Sequence, residues 1–264
     1  MKVEVNGLTA FLHGNKNNPP IIFVHAFPHD RRMWEKQTEF LAKEFFIITY
    51  DVRGFGDSEI GDGQYTMEQY ADDLISLVDA LGINKPLACG LSMGGYILFR
   101  AMEKAQGKFS GVVFMDTRTE ADDNAGKLKR AGAIKEINEN GLTKFAEDFV
   151  KNCVWEKSIE NGNEGYLKAL EIAKSQNPTG VKGALLAMVS RTDTTDGLAR
   201  LEIPACIICG EHDKLTPPET MQKIADKIRN AEFHVVKEAG HLSNLEQPSA
   251  VNKIIYEFAR KVFE

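Results

Sequence analysis

The amino-acid sequence predicts an α/β protein with a mostly parallel central sheet, flanked by helices and interrupted by a helical cap insertion. Short apolar runs typical of buried strands alternate with stretches in which apolar residues recur at helical spacing. Asn6-Gly7, between two strand-like runs, is a strong signal for a β-hairpin. The strand pattern disappears between Thr117 and Leu201, where the sequence is helical in pattern. A chain of 264 residues is long enough for one large α/β domain with such an insertion.

The predicted strands and helices follow one another along the chain as βα units. The run from Ile21 to Val24 is apolar throughout, as expected for a parallel strand buried on both faces. Thr66 and Gln69 have the spacing of a capping box at the start of a helix, and Gly82 follows its end. The predicted strands cover residues 3–5, 8–12, 21–24, 45–50, 87–89, 112–115, 205–209 and 232–236. The predicted helices around the sheet cover residues 32–43, 66–81, 96–104, 219–229 and 249–263.

The helical insertion divides the chain into two expected parts. Residues 1–116 and 202–264 are predicted to form the core with the sheet, and residues 117–201 a helical cap above it. Asn and Gly or Pro pairs interrupt the helical pattern of the cap and predict where its helices break. These pairs are Asn140-Gly141, Asn161-Gly162 and Asn177-Pro178.

Composition and charge restrict the possible partners. Apolar residues make up 43% and charged residues 27% of the chain, as in soluble globular proteins. The net charge of -6 argues against nucleic acid as the main partner, because phosphate binding needs clustered Lys and Arg. No stretch approaches the roughly 18 to 20 apolar residues of a membrane span. The first residues include Glu4 and a turn where a signal peptide needs a long apolar run, so we expect a cytoplasmic protein without a membrane partner.

The four cysteines are expected to be structural. Cys206 and Cys209 have the C-x-x-C spacing, but they lie in a strand-like run with no second pair. Residues three apart on a strand face opposite ways, which argues against a redox or zinc site there.

The candidate nucleophile is Ser92, in the motif Gly90-Leu91-Ser92-Met93-Gly94 between a predicted strand and a predicted helix. A sharp strand-to-helix turn exposes the serine hydroxyl, and the flanking glycines leave room for the chain to reverse. The amino end of the following helix points amide hydrogens at the site. The alternative is a glycine-rich turn with a surface serine.

A serine hydroxyl needs a general base, and His241 is the candidate among six histidines. It follows the last predicted strand, at the sheet edge where open α/β sheets place their sites. Asp213 follows the preceding strand and is the preferred acid partner, because the order Ser, Asp, His fits this architecture. Asp116, at the end of the strand that covers residues 112–115, is the competing acid.

Acyl transfer also needs N–H donors for the oxygen that becomes negatively charged. The backbone N–H of Met93 is one predicted donor, and Phe27, in the loop after the strand at residues 21–24, is the other. Pro28 has no N–H and is excluded. His25 is expected to brace this loop. We predict no metal site at His25 and His29, because no third ligand follows at a zinc-like spacing, and no cofactor.

The sequence resembles the α/β-hydrolase superfamily over essentially its full length. Within it, the chain is similar to bacterial carboxylesterases, to 3-oxoadipate enol-lactonase-like hydrolases and to cofactor-free haloperoxidase-like esterases. The resemblance implies the α/β-hydrolase fold, the triad Ser92, Asp213 and His241, an oxyanion hole of Phe27 and Met93, and a cap over an acyl pocket. Ala26 departs from the His-Gly usual in the oxyanion loop, which leaves the loop shape open. The matching stretches are residues 25–28, 51–58, 90–95, 210–213 and 240–241.

The predicted function is that of a serine hydrolase, cleaving a carboxylic ester or lactone through an acyl-enzyme on Ser92. Perhydrolysis with the same residues and a small-molecule receptor with slow turnover are the alternatives, and a monomer and a homodimer are equally open. The candidate pocket residues in the cap are Phe145, Trp155 and Met188, each of which could instead belong to the core of the cap. Cap arginines could bind a substrate carboxylate or form solvated surface; they are Arg118, Arg130 and Arg191.

Overall fold

A computed structural model describes residues 1–264 and contains one eight-stranded sheet in the order β1-β2-β4-β3-β5-β6-β7-β8. The β1–β2 and β2–β4 pairs are antiparallel and all other pairs are parallel, which confirms the predicted fold class and the Asn6-Gly7 hairpin. The strands are β1 (Lys2–Val5), β2 (Leu8–His13), β3 (Pro20–Val24), β4 (Phe46–Asp51), β5 (Leu87–Leu91), β6 (Gly111–Met115), β7 (Ala205–Gly210) and β8 (Glu232–Val236).

Eleven α-helices surround the sheet. Five of them, α4 to α8, form a helical insertion between β6 and β7. Helices α1 to α3 are α1 (Glu35–Leu41), α2 (Met67–Ala80) and α3 (Met93–Ala105). The insertion contains α4 (Asn124–Asn140), α5 (Leu142–Cys153), α6 (Glu156–Glu160), α7 (Glu164–Lys174) and α8 (Pro178–Ser190). The last helices are α9 (Pro218–Lys227), α10 (Ser243–Glu246) and α11 (Pro248–Phe263). No helix combines the length and the apolar composition needed to cross a membrane.

The central strands are buried on both faces, as their continuous apolar runs predict. Along β3, Ile22 and Val24 pack into the core formed with α2, α3 and α9, whereas Ile21 and Phe23 pack into the core formed with α1 and α11. All four are fully buried. Burial of each such side chain contributes about 1.5 to 3 kcal/mol relative to its exposed state, so the sheet is a rigid base for the loops at its edge.

Two helix starts around the sheet differ from the predictions, and the capped start of α2 agrees with its prediction. The predicted helix at residues 32–43 begins as a 3₁₀ turn, Arg31–Trp34, because the Asp30 carboxylate accepts a hydrogen bond from the Arg32 N–H at 2.9 Å. Helix α3 begins at Met93, three residues before the predicted start at residue 96. The Thr66 hydroxyl caps α2 by accepting from the Gln69 N–H at 3.1 Å, as the capping box predicts.

The three predicted helix breaks in the insertion are confirmed, and the structure adds another. Helix α4 ends at Asn140, α6 is followed by Asn161, and α8 begins at Pro178. The chain also leaves helical geometry at Val154 and Trp155, between α5 and α6. No Gly or Pro marks this break, so the pattern of turn residues did not predict it.

Candidate active site

Ser92 lies on the sharp turn between β5 and α3, with a φ of 54° and a ψ of -110°. This strained conformation is held by hydrogen bonds on both sides of the residue. The Ser92 N–H donates to the Met115 carbonyl, and the Thr117 hydroxyl donates to the Ser92 carbonyl, each at 2.9 Å. Close packing requires glycine at position 94, where a β-carbon would lie 2.2 Å from the Val24 carbonyl oxygen. The hydroxyl of Ser92 is therefore presented by a rigid turn.

The structure brings Ser92, His241 and Asp213 into one hydrogen-bonded chain. Ser92 Oγ lies 2.8 Å from His241 Nε2, and His241 Nδ1 lies 2.7 Å from Asp213 Oδ2. A carboxylate only accepts hydrogen bonds, so Nδ1 carries the imidazole proton and Nε2 is free to accept from the serine. Asp213 also accepts from the Leu215 N–H at 2.8 Å, the Thr216 N–H at 3.0 Å and the Thr216 hydroxyl at 2.5 Å.

The environments of His241 and Asp213 favour charge on both groups. Burial acts to lower the pKa of His241, but the Asp213 charge and hydrogen bond outweigh it and hold the pKa above 6.5. Burial acts to raise the pKa of Asp213, but the neighbouring imidazole and the Thr216 donors outweigh it and hold the pKa below its ordinary value. The carboxylate thus remains ionised and stabilises an imidazolium ion.

The competing acid, Asp116, lies elsewhere in the hydrogen-bond network. It accepts from the Gly210 N–H at 2.7 Å and from the Ser243 hydroxyl at 2.5 Å, and it forms no hydrogen bond to His241. Burial raises the pKa of Asp116 well above its ordinary range, and the charge of Asp213 raises it further. Asp116 therefore connects the ends of β6 and β7 to the start of α10 and does not orient His241.

Two backbone N–H groups are free to face a substrate oxygen. Met93 is the first residue of α3, so its N–H has no partner within the helix. The Phe27 N–H donates to no atom of the protein. His25 braces the loop that contains Phe27, because its Nδ1 contacts the Ala26 carbonyl and its Nε2 accepts from the Val52 N–H, both at 2.9 Å.

A cavity of about 270 Å³ opens at Ser92, His241 and Phe27. Its apolar wall comes mainly from the insertion and includes Phe145 and Met188, two of the three predicted pocket residues. The full apolar and aromatic lining is Phe27, Tyr96, Ala133, Phe145, Phe149, Leu185, Met188 and Leu215.

The prediction that Trp155 lines the pocket is corrected by the structure. Its indole stacks on the imidazole of His212, with ring centroids 4.6 Å apart and planes inclined by 10°. The ammonium of Lys157 lies 5.1 Å from the indole centroid. The unpredicted break after α5 turns this side chain away from the cavity and towards the loop that follows β7.

Three arginines of the insertion converge on one carboxylate beside the cavity. Asp122 is buried and accepts from Arg118 at 2.7 Å, from Arg191 at 3.1 Å and from Arg130. One carboxylate therefore faces three guanidinium groups, so the cluster carries excess positive charge. Lys129, which also lines the cavity, forms no ion pair. The interpretation of these arginines as solvated surface is wrong for Arg191, which is nearly fully buried against the Tyr96 ring.

No cysteine thiol and no other histidine side chain joins the hydrogen-bonded chain of Ser92, His241 and Asp213. Burial lowers the pKa of His29 to about 4, and its imidazole lies beneath the insertion. No group of three or more His, Cys, Asp or Glu side chains has the geometry to hold a metal ion. All four cysteines are buried free thiols, and Cys206 and Cys209 lie in β7 as the strand interpretation predicts.

Comparison with known families agrees with this geometry. A family model described as the alpha/beta hydrolase fold matches residues 19–248. The match covers most of the chain, so the protein belongs to this family, and it is a hydrolase.

Individual relatives include esterases and lactonases. The chain is 28% identical to 3-oxoadipate enol-lactonase 2 of Acinetobacter baylyi, over 92% of this chain and 89% of that protein. It is 26% identical to a bifunctional esterase/perhydrolase of Acinetobacter calcoaceticus, over 94% of each chain. The structure of a thermophilic esterase from Thermogutta terrifontis, described as malate bound, superimposes with a TM-score of 0.94 at 35% identity and 99% coverage of each chain. These similarities support a hydrolase of the enol-lactonase and esterase type.

Proposed function

We propose that this protein hydrolyses a carboxylic ester or lactone through an acyl-enzyme on Ser92. The observation that carries the proposal is the chain of hydrogen bonds from Ser92 through His241 to Asp213 at the base of the cavity. A serine and an imidazole at 2.8 Å, with the imidazole oriented by a carboxylate, form an activated nucleophile.

In the first half of the reaction, Ser92 Oγ attacks the substrate carbonyl carbon while His241 Nε2 takes the hydroxyl proton. The N–H groups of Phe27 and Met93 stabilise the negative oxygen of the tetrahedral intermediate. The C–O bond to the leaving alcohol then breaks, and His241 returns the proton to that oxygen. In a lactone the alcohol stays attached to the acyl chain.

In the second half, His241 deprotonates a water molecule that attacks the acyl carbonyl. The acid leaves, and Ser92 recovers its proton from the imidazolium. Asp213 stays ionised throughout and stabilises the imidazolium form of His241, in keeping with its lowered pKa.

Covalent labelling tests this mechanism directly. A fluorophosphonate probe should label the wild type and not Ser92→Ala, and Ser92→Ala should not hydrolyse p-nitrophenyl acetate. Ser110→Ala is the matched control, because its hydroxyl is buried without a partner just before β6 and away from the cavity. Equal labelling of wild type and Ser92→Ala would exclude Ser92 as the nucleophile. Absent turnover together with ligand-induced thermal stabilisation would indicate a receptor instead.

We further propose that the insertion acts as a cap and that the preferred substrate carries a carboxylate. The excess positive charge around Asp122, together with the unpaired Lys129, lies beside a small cavity with a mainly aromatic and aliphatic wall. An anionic group would neutralise this charge, and guanidinium groups are suited to carboxylates. The malate-bound state of the Thermogutta esterase is in keeping with this preference.

Paired substrates measure the preference. We expect p-nitrophenyl hemisuccinate to have a higher kcat/KM than its methyl ester, with the difference reduced at high salt. The double variant Arg118→Gln/Lys129→Gln should weaken the preference, because it removes Lys129 and one of the three guanidinium groups, while Asp122 keeps Arg130 and Arg191 as partners. Lys127→Gln on the same helix is the control, since Lys127 does not line the cavity. Equal kcat/KM for the two esters would refute the carboxylate preference and leave the acyl-enzyme proposal intact.

Perhydrolysis is the second candidate, favoured by the similarity to a bifunctional esterase/perhydrolase. Hydrogen peroxide in place of water would attack the acyl-enzyme, giving a peracid and free Ser92. Competition between peroxide and water, measured as peracid formed per acetate ester consumed, distinguishes the two reactions.

A further inference from the structure

Glu246 is a buried carboxylate that connects the loop of His241 to the insertion. It lies at the end of α10, five residues after His241, and is 3% exposed. Its Oε1 accepts from the Gly240 N–H at 2.8 Å. Its Oε2 accepts from the Trp155 N–H at 2.9 Å and from the Ser158 hydroxyl at 2.7 Å. All three donors are neutral, so the carboxylate is held by hydrogen bonds alone.

The same segment of the insertion holds His241 itself. The His241 N–H donates to the Cys153 carbonyl at 2.6 Å. The two backbones approach so closely that a β-carbon on Gly240 would lie 2.6 Å from Trp155 N and 2.7 Å from the Cys153 carbonyl oxygen. The side chain of His241 is therefore oriented by Asp213, and its backbone is held by residues 153–158.

Helix α5 links this contact to the cavity. It ends at Cys153, and about one and two turns earlier Phe149 and Phe145 line the cavity and pack edge-on against Phe27. One rigid helix thus contacts the substrate space, the predicted oxyanion residue and the backbone of the base. A displacement of the insertion would therefore disturb the cavity wall, the packing of Phe27 and the backbone position of His241 relative to Ser92.

We propose that Glu246 is a positioning residue, which aligns His241 with Ser92 by fastening the loop at Gly240 to residues 153–158 of the insertion. This inference rests on the proposed function of His241 as the base. Glu246 touches no reacting atom, and its effect passes through the backbone of residues 240–241. The insertion is then part of the catalytic alignment as well as a wall of the cavity.

Glu246→Gln tests the proposal because an amide cannot satisfy this set of donors. Gln has one acceptor oxygen, so its NH₂ group must face either the Gly240 N–H or the Trp155 N–H. We expect kcat for p-nitrophenyl acetate to fall roughly 10- to 100-fold, because a 1 Å misplacement of a catalytic group can cost on the order of 10²-fold. KM for this small neutral ester should change little.

Gln176→Ala is the matched control for a general loosening of the insertion. Gln176 fastens the insertion to the core at another place, donating to Asp30 at 2.8 Å and accepting from the Gly56 N–H at 3.1 Å. It contacts neither Gly240 nor His241. We expect Gln176→Ala to lower the melting temperature and leave kcat within about twofold of wild type, as expected for a site without coupling to the base.

The far-downfield NMR resonance of the His241 Nδ1 proton reports alignment independently of turnover. We expect it to broaden or shift in Glu246→Gln and to stay in place in Gln176→Ala. If Glu246→Gln fails to fold, Ser158→Ala replaces it as the test. This variant keeps both backbone hydrogen bonds to Glu246, so we expect a loss of kcat smaller than that expected for Glu246→Gln. An unchanged kcat and resonance in the folded Glu246 variant, or an equal loss of kcat in the Gln176 control, would overturn the proposal. Failure of wild-type turnover would instead overturn the proposed function.

Discussion

Replacing Asp213 with Asn would keep the His241 imidazole in the site but change which of its ring nitrogens carries the proton. The Asp213 carboxylate uses Oδ1 for the Leu215 and Thr216 N–H groups and Oδ2 for the Thr216 hydroxyl and His241 Nδ1. In the variant, the amide oxygen would stay with the two backbone donors, and the amide nitrogen would face His241. That NH₂ group donates to Nδ1, so the ring proton moves to Nε2 and points at Ser92.

The expected loss follows from this change of tautomer. A base that presents N–H to the serine cannot accept its proton, and kcat should fall on the order of 10⁴-fold, or about 5 kcal/mol of activation free energy. Steady-state hydrolysis of p-nitrophenyl acetate and the rate of fluorophosphonate labelling measure the loss, with the circular dichroism melting curve as a check of folding. Both rates should fall together, since both need an activated Ser92.

Asp116→Asn is the matched control. An amide at this position can keep both contacts, because its oxygen accepts from the Gly210 N–H and its NH₂ group can donate to the Ser243 hydroxyl oxygen. Asn also tolerates the φ of 43° found at residue 116. We expect kcat within roughly threefold of wild type, because nearly isosteric neutral replacements cost little. Equal losses in the two variants, or a loss below tenfold in Asp213→Asn, would refute this assignment of the acid.

Three further predictions concern pH, packing and chain length. The base must be neutral, so kcat/KM should rise as the pH increases through the pKa of His241, which Asp213 holds above its ordinary value. In Asp213→Asn that pKa falls, and the acid limb of the pH–rate profile should move to lower pH. An acid limb that stays in place would contradict this prediction. Gly94→Ala should lower the free energy of unfolding by about 1 to 3 kcal/mol and the melting temperature by roughly 2 to 12 °C, because the new methyl group would collide with the Val24 carbonyl. Gly107→Ala is the control, because open space surrounds this glycine. Phe149→Ala should raise kcat/KM for longer acyl chains relative to acetate in a p-nitrophenyl ester series, and an unchanged chain-length profile would show that α5 does not limit the pocket.

The parts of the fold that sequence patterns predicted are those determined by local physics. Apolar runs define the buried strands, and the turn at Ser92 is recognisable because two glycines flank it between a strand and a helix. Asp213 and His241 follow neighbouring strands, so the parallel sheet brings their loops to one edge. The structure places these three side chains in hydrogen-bonding contact without any rearrangement of the predicted order.

The parts that were missed depend on contacts between residues far apart in the chain. Arg191 reaches Asp122 across 69 positions, and Glu246 reaches Trp155 across 91. No periodicity or turn signal encodes such pairs, because the packing of the insertion on the sheet creates them. Trp155 is a further example. It is an apolar residue in a stretch predicted to be helical, and no turn residue nearby predicted the break that turns it towards His212.

The hydrogen bond from the His241 N–H to the Cys153 carbonyl has a consequence for exchanging parts between relatives. A helical insertion bounded by two strand ends looks like a module that can be transplanted to change substrate choice. In this protein, the graft would also remove a backbone acceptor of the base and the two donors to Glu246. A chimera that keeps residues 153–158 with their own core should retain turnover. In a chimera that replaces them, the grafted backbone must supply new hydrogen-bond partners for the His241 N–H and for Glu246.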